Sequence, residues 1–406
     1  MSDLHLDDDF GTTAQPRSGR RGLWIFLGLI ALGAGALVAL GPSMAPDAAA
    51  LQAELERREV VLSQVYEVDD VYPSMTGPSS QVGVQVGDPD ADELVWITGY
   101  RATMVGPDGT TQLPQEFMCH SNLDVDAQVH QMLHGPSPSF NPRLFTLSQG
   151  QLEIEFPPGF GIPMRSTETL SLTTQVLNLN LPAERLAAEP VQVRHRVEIE
   201  FVRDADLAQS DLTMTPLVPT AAFGLALLEG EDGYYGVASP DEEMHGSSCL
   251  TGEAASAHAY DDPHGRVFTG HWKVPPGRQV NETLVTELLR VPYETTIHYI
   301  AVHLHPFAES LTLRNLTTGE VLFESRAQNF DDKIGLAHVD AFSSVEGVRI
   351  DPDHEYQLVS VYENTSGAEQ DSMAVMYIYL RDHETEERLR ERVAYRAVDD
   401  AVAAGS

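Results

Sequence analysis

Lysine is almost absent. Lys273 and Lys333 are the two in 406 residues, and Lys and Arg together number 25 against 61 Asp and Glu, a formal charge of −36. A chain this acidic is excluded as a nucleic-acid binder that works by neutralising phosphates. Docking on anionic lipid through a basic face is disfavoured for the same reason. Cysteine is equally scarce: Cys119 and Cys249 are too few for a disulfide scaffold or a four-thiolate zinc site. They are left with one bridge, a share in a metal site, or neither. Long helical patterns alternating with strands are missing beyond residue 70, which argues against a doubly wound α/β sheet. There is no repeat of fixed period, no P-loop or dinucleotide fingerprint, no His-Glu-x-x-His, and Ser247-Ser248-Cys249 is no nucleophile elbow. Apolar residues nevertheless make up 42% of the chain, enough to build real cores.

Gly22 to Leu40 reads GLWIFLGLIALGAGALVAL, nineteen residues without a charge. At about 1.5 Å per residue such a helix spans nearly all of a ~30 Å hydrocarbon layer. Arg17, Arg20 and Arg21 precede it, while Asp47 and Glu54 follow. The positive-inside rule then places the N-terminus in the cytoplasm and the bulk of the chain outside, periplasmic in a bacterium. A cleaved signal peptide is the alternative. The run is long for one, and Ala48-Ala49-Ala50 lies well beyond it.

Residues 47–64 carry helix formers without Gly or Pro and predict a helix beside the membrane. Beyond Tyr72-Pro73 the pattern changes to short stretches rich in β-branched and aromatic residues, punctuated by Gly, Pro, Asp and Asn. These are Leu94–Val105, Gln151–Phe156, Thr169–Leu179, Gln192–Val202, Ile297–His305, Leu311–Asn315, Tyr356–Tyr362 and Ser372–Leu380. Many short strands of this kind predict an all-β fold built as antiparallel sandwiches. Residues 229–267 read as a long acidic loop, and His245, Cys249, His258, His264 and His271 as mostly solvated histidines and a thiol in or near it. Thr385–Ala397 reads as a solvent-facing terminal helix.

Val302-His303-Leu304-His305 ends an apolar strand. Residues i and i+2 share a strand face, so the two imidazoles point the same way and supply half of a metal site. Asp371 to Leu380 reads as a further strand, with Met373 and Tyr377 on one face and Met376 on the other. Taken singly, a His pair on a strand is equally at home as a solvated feature, and a Met as core filler.

The stretch from Thr269 to Leu380 as a whole resembles the C-terminal domain of the copper type II, ascorbate-dependent monooxygenases, the peptidylglycine α-hydroxylating and dopamine β-type enzymes. Val274-Pro275-Pro276-Gly277, His303-x-His305, Gln328-Asn329-Phe330, Tyr362-Glu363-Asn364-Thr365 and Met373-x-x-x-Tyr377 carry the resemblance in order and spacing. It implies that His303, His305 and Met373 hold copper, a soft thioether and two imidazoles suiting Cu(I). It also implies hydroxylation of a substrate C–H with O2 and a reductant such as ascorbate or another donor, with Tyr377 beside the substrate. Peptide-amidating members carry an Arg two residues before the first His to hold a carboxylate. Ala301 stands there, so a glycine-extended peptide is a poor expectation.

The first half is similar to the domain bearing the family's other copper, but altered. Val95–Tyr100 and Glu116–His120 match its strand pair, and Phe156–Pro163 and Leu172–Asn178 follow it. Two adjacent His are usual there; this chain has Cys119-His120. The residue after Gln175-Val176 is a third His in the family and Leu177 here. His130-Gln131-Met132-Leu133-His134 is an alternative match to the paired-His strand. Three readings stay open. Cys119 and His120 bind copper with a third ligand such as His130, His134 or Cys249; Cys119 and Cys249 form a disulfide; or both thiols are inert. Gln175 would lie between the two sites.

The expected organisation is a cytoplasmic tail (1–21), a transmembrane anchor (22–41) and a juxtamembrane helix or linker (42–70). Two tandem antiparallel jelly-roll-like β-sandwiches (71–207 and 208–382) and a terminal helix and tail (383–406) follow. The expected function is a copper-dependent monooxygenase acting on a small molecule or peptide. The alternative is a non-catalytic copper-handling protein with the same His-His-Met site.

Overall fold

Alternating burial and strand-forming residues govern the architecture from Pro46 onward, which forms one unit. The computed structural model describes residues 47–137, 140–230, 233–237, 250–251 and 259–391. The expected tail and membrane span, together with His245, Cys249 and His258, lie outside the described residues. Among the described residues no helix is long and apolar enough to cross a membrane.

The chain is all-β, with six short helices and one 3-10 turn set among 25 strands in the described residues. Its largest element is a ten-stranded sheet whose main path runs Arg57–Leu62, Val191–Arg203, Leu94–Val105, Phe160–Arg165, Thr215–Phe223, Ala374–Arg381, Thr295–Leu304 and Phe342–Ile350. Pairings along this path are antiparallel except where Thr215 and Pro216 meet Phe160 and Gly161 side by side. That short parallel link joins strands from either side of the expected division at residue 207, so one sheet runs through both halves.

A four-stranded sheet (Ser79–Val84, Leu170–Val176, Met118–Asp124, Arg143–Leu147) shares a core with one face of the large sheet. Met118, Phe145 and Leu172 from the small sheet cluster with Tyr100, Ile199, Tyr299, Val375 and Tyr379 from the large one. A five-stranded sheet (Gly277–Leu284, Tyr356–Asn364, Ala308–Asn315, Val321–Asn329, Leu336–Val339) belongs to a second core. There Leu311, Leu358 and Tyr362 meet Ile300, Val302, Leu304, Ala374, Met376 and Ile378. Successive residues of Thr295–Leu304 and Ala374–Arg381 therefore enter two different cores. Both strands are covered on both faces, which explains why they read as continuous apolar runs rather than half-buried alternations. Each fully buried large side chain contributes about 1.5–3 kcal/mol relative to exposure.

The helix expected over 47–64 spans only Ala48–Leu55. Arg57–Leu62 is instead an edge strand, paired residue for residue with Arg196–Phe201. Glu and Arg favour a helix in isolation, but Val60 and Val61 are β-branched, and the neighbouring strand supplies backbone partners that outweigh propensity. Leu51 and Leu55 pack against Trp96, Leu212 and Met214. The expected acidic loop holds strand pairings at Leu250–Thr251 and Ala259–Asp261. The end of the described chain is helical over 383–391, with Leu389 turned onto the Trp96 cluster rather than into solvent.

Candidate metal centre

The strand Thr295–Leu304 delivers His303 and His305 to the end of the large sheet. His303 pairs with Val375 and Leu304 with Ala374; the same register carried one step further sets Met373 across from His305. Directly opposed residues share a face, so both imidazoles, the thioether and Tyr377 lie on the side of the sheet that faces the first half of the chain. The two rings are 5.2 Å apart and perpendicular. All four side chains are buried.

Hydrogen bonds orient the ring nitrogens. The Nδ1 of His305 lies 3.1 Å from the carbonyl oxygen of Asp371. A carbonyl only accepts, so Nδ1 carries the proton and Nε2 presents a lone pair. Nε2 sits 3.4 Å from Ser74 Oγ. His303 Nδ1 is 3.0 Å from Ser148 Oγ. Burial, followed by the neighbouring His303 and His271, holds His305 well below the ordinary imidazole range, so it is a neutral ring, the form that binds metal. The Tyr362 hydroxyl donates to the Met373 carbonyl at 2.5 Å, fixing the backbone that carries the thioether.

His303 and His305 border a cavity of about 260 Å³ lined also by Ser74, Cys119, Ser148 and Leu177, among others, whereas Met373 and Tyr377 are not part of its lining. The structure thus brings the Cys119 strand and the His-x-His strand to one space. Pairing of Met118–Asp124 with Leu170–Val176 shifts between Met118 and His120, leaving Cys119 as the extra residue of a β-bulge, a device common beside functional sites. Met118 and Cys119 line the cavity. The thiol lies 3.9 Å from Gln175 Oε1, whose amide donates to the Gly77 carbonyl at 2.8 Å. Gly77 is required there, because a Cβ would fall 1.9 Å from the Val176 carbonyl oxygen.

Burial pushes the Cys119 thiol up to about 11. Cys119 is a free thiol. His120 is buried and held down to about 3 by burial and then by Arg143, His195 and His305; it is not among the residues lining the cavity. Leu177 brings only an apolar surface. Tyr377 stands across from Ala301.

Two features escaped the sequence. Ser148 and Ser74 contact the histidines from strands and loops more than 150 positions away, and nothing local marks them. His271, expected among solvated loop histidines, is fully buried with its ring 6.0 Å from that of His305. The strand Trp272–Val274 pairs with Gln370–Ser372 and carries it inward. The signal available was its position one residue before that strand. His264 is exposed as expected. His130 and His134 lie on a separate helix, away from the cavity lining.

No family model matches this chain, and no curated protein does. Solved structures align over most of its length with little agreement. The STIV major capsid protein aligns at 8% identity and a TM-score of 0.30, covering 81% of this chain and 98% of its own. The major capsid protein P2 of bacteriophage PM2 gives 8% and 0.28, over 79% and 97%. The glycosylasparaginase PNGase F of Flavobacterium meningosepticum gives 8% and 0.32, over 80% and 96%. Likeness at this level carries no functional argument.

Proposed function

We propose that this chain is an exported, membrane-anchored copper protein of the copper type II monooxygenase kind. It would comprise two jelly-roll-like sandwiches behind a helix at 22–41 and hydroxylate a C–H bond with O2 and a reductant such as ascorbate. The observation that carries the reading is the placement of His303, His305 and Met373 on one sheet face, the two histidines lining a cavity, with the His305 tautomer set to offer Nε2.

The donor set fits copper: two neutral imidazoles and a thioether are the ligands Cu(I) prefers over harder ions. Copper held there would supply one-electron chemistry with O2. The protein's own residues do the rest. Asp371 and Ser148 hold the two rings in place, Tyr362 anchors the Met373 backbone, and the buried surround limits water around the site. Tyr377 borders the same face, and Ala301 opposite it offers no anchor for a carboxylate, which favours a small, uncharged substrate over a peptide terminus.

Leu177 favours a second reading. With an aliphatic side chain on the cavity where a third imidazole would complete another copper site, Met118 and Cys119 are the soft donors on that side. Copper binding without turnover, as in copper handling, then needs no second electron store.

Copper stoichiometry and ascorbate-dependent O2 consumption test both. One Cu(I) per chain, lost in His303→Ala/His305→Ala, with O2 consumption that depends on Met373, is the expected result. Copper without O2 consumption selects the handling role. No copper in the folded chain overturns both.

A further inference from the structure

A second cluster of ligating side chains lies apart from this cavity. The helix Ala127–His134 starts at Asp126, whose carboxylate accepts from the backbone of Gln128 and Val129. His130 and His134, four positions apart, fall on one face of it, and their rings stack 4.4 Å apart. Phe140 stacks on His130, ring centres 4.7 Å apart. Glu168, in the turn between Phe160–Arg165 and Leu170–Val176, reaches both histidines. Its Oε2 is 2.9 Å from His130 Nδ1 and its Oε1 is 3.0 Å from His134 Nε2. The Arg165 backbone N–H donates to Oε1 at 2.7 Å. The Glu168 residue is 2% exposed.

Among the described residues this is the one group of three His, Cys, Asp or Glu whose ligand atoms all lie within 4.8 Å of each other. We propose that His130 Nδ1, His134 Nε2 and the Glu168 carboxylate form a metal site for a divalent cation of the zinc class, distinct from the His303–His305 cavity, with water as the fourth ligand.

Three arguments support it. The first is the donor set: two imidazoles and one carboxylate, without sulfur, suit zinc rather than Cu(I). The second is geometry. Bonds of about 2.0–2.1 Å in a tetrahedron put ligand atoms about 3.4 Å apart, so the observed contacts need open by only a few tenths of an ångström. To ligate, each ring must present the lone pair of that nitrogen and carry its proton on the other one. The third is room. A cavity of about 20 Å³ lies on the histidine side of the cluster, touching His130, His134, Phe140, Pro163, Pro219 and Asp382 but not Glu168, and its volume suffices for one water. An ion there would pin the helix to the turn at Glu168.

The test uses the full chain, stripped with chelator and then given Zn2+ or Co2+ alone. The expected result is one Zn2+ per chain, retained in His303→Ala/His305→Ala. Affinity should fall at least about a hundredfold in Glu168→Gln and His134→Gln. Co2+ should give the intense visible bands of four-coordination, and added Zn2+ should raise Tm in wild type but not in Glu168→Gln. Should those variants not fold, wild type and the His303/His305 double variant decide between them. Absence of a Zn2+ equivalent tighter than about 10 µM from folded wild type overturns the site. So does its loss with His303 and His305, or its retention in both Glu168→Gln and His134→Gln.

Discussion

Ser148 reaches across from the first half of the chain to hold His303, its Oγ 3.0 Å from the ring's Nδ1. The pairing is a direct structural tie between the two halves at the proposed copper ligand. Outer partners of a metal-bound imidazole typically change affinity by about 10- to 100-fold when removed. Ser148→Ala should therefore weaken Cu(I) binding by at least about tenfold in a competition titration with a chromophoric chelator, and should cost about 1–3 kcal/mol of stability because the buried ring nitrogen loses this partner. His303→Ala should abolish binding. Equal affinity in Ser148→Ala and wild type would separate His303 from the metal.

Cys119 allows a sharper check on the other wall of the cavity. A thiol at about 11 holds only about one part in a thousand as thiolate at pH 8, against roughly a quarter for an ordinary cysteine. In a Cys249→Ser background, alkylation of the native protein by iodoacetamide should be slow at pH 8. It should accelerate about tenfold per pH unit toward pH 10. Rapid, pH-independent labelling would show an activated thiolate.

Much of this arrangement was legible in the residues. Leu94–Val105 has the predicted bounds, because a long apolar strand between polar turns has few alternatives. His303, His305, Met373 and Tyr377 fall on one face as the period of two requires. Legibility stopped wherever a contact depended on register between distant strands. Arg57–Leu62 became a strand because Val191–Arg203 offered an unpaired edge, a partner over 130 positions away. Ser148 and His271 meet the histidines through the same long-range pairing. The His130–His134 spacing was visible, but it was weighed as a match to a strand; the helix that gives four-residue spacing its meaning, and Glu168 below it, emerged only from the fold.

Buried histidines make stability depend on pH. His195 is fully buried, and burial pushes it down to about 4 against opposition from the Gln175 backbone. Below about 6.5 the unfolded chain takes up a proton there that the folded chain refuses, so stability is complete above that pH and falls as pH drops toward 4. At pH 5 the loss from this one ring is about 2 kcal/mol. Urea titrations at pH 7.5 and 5 should show His195→Gln losing about that much less than wild type between the two pH values. Parallel losses would mean that the ring is protonated in the native state.

The Tyr379 hydroxyl donates to the Leu144 carbonyl at 2.7 Å, both groups buried. This bond runs between Ala374–Arg381, the strand that follows Met373, and Arg143–Leu147 in the four-stranded sheet, so it locks the proposed ligand strand to the opposite layer. Phe156 and Phe145 pack on the same ring at 4.8 and 6.0 Å, and Phe at 379 would keep those contacts. Tyr379→Phe therefore removes the hydrogen bond alone and leaves a buried carbonyl without its donor, at a cost of about 1–3 kcal/mol. Urea unfolding should show that loss at unchanged slope. Copper affinity should fall as well if the sheet-to-layer lock positions Met373, whereas lost stability with unchanged affinity would make the bond a structural tie only.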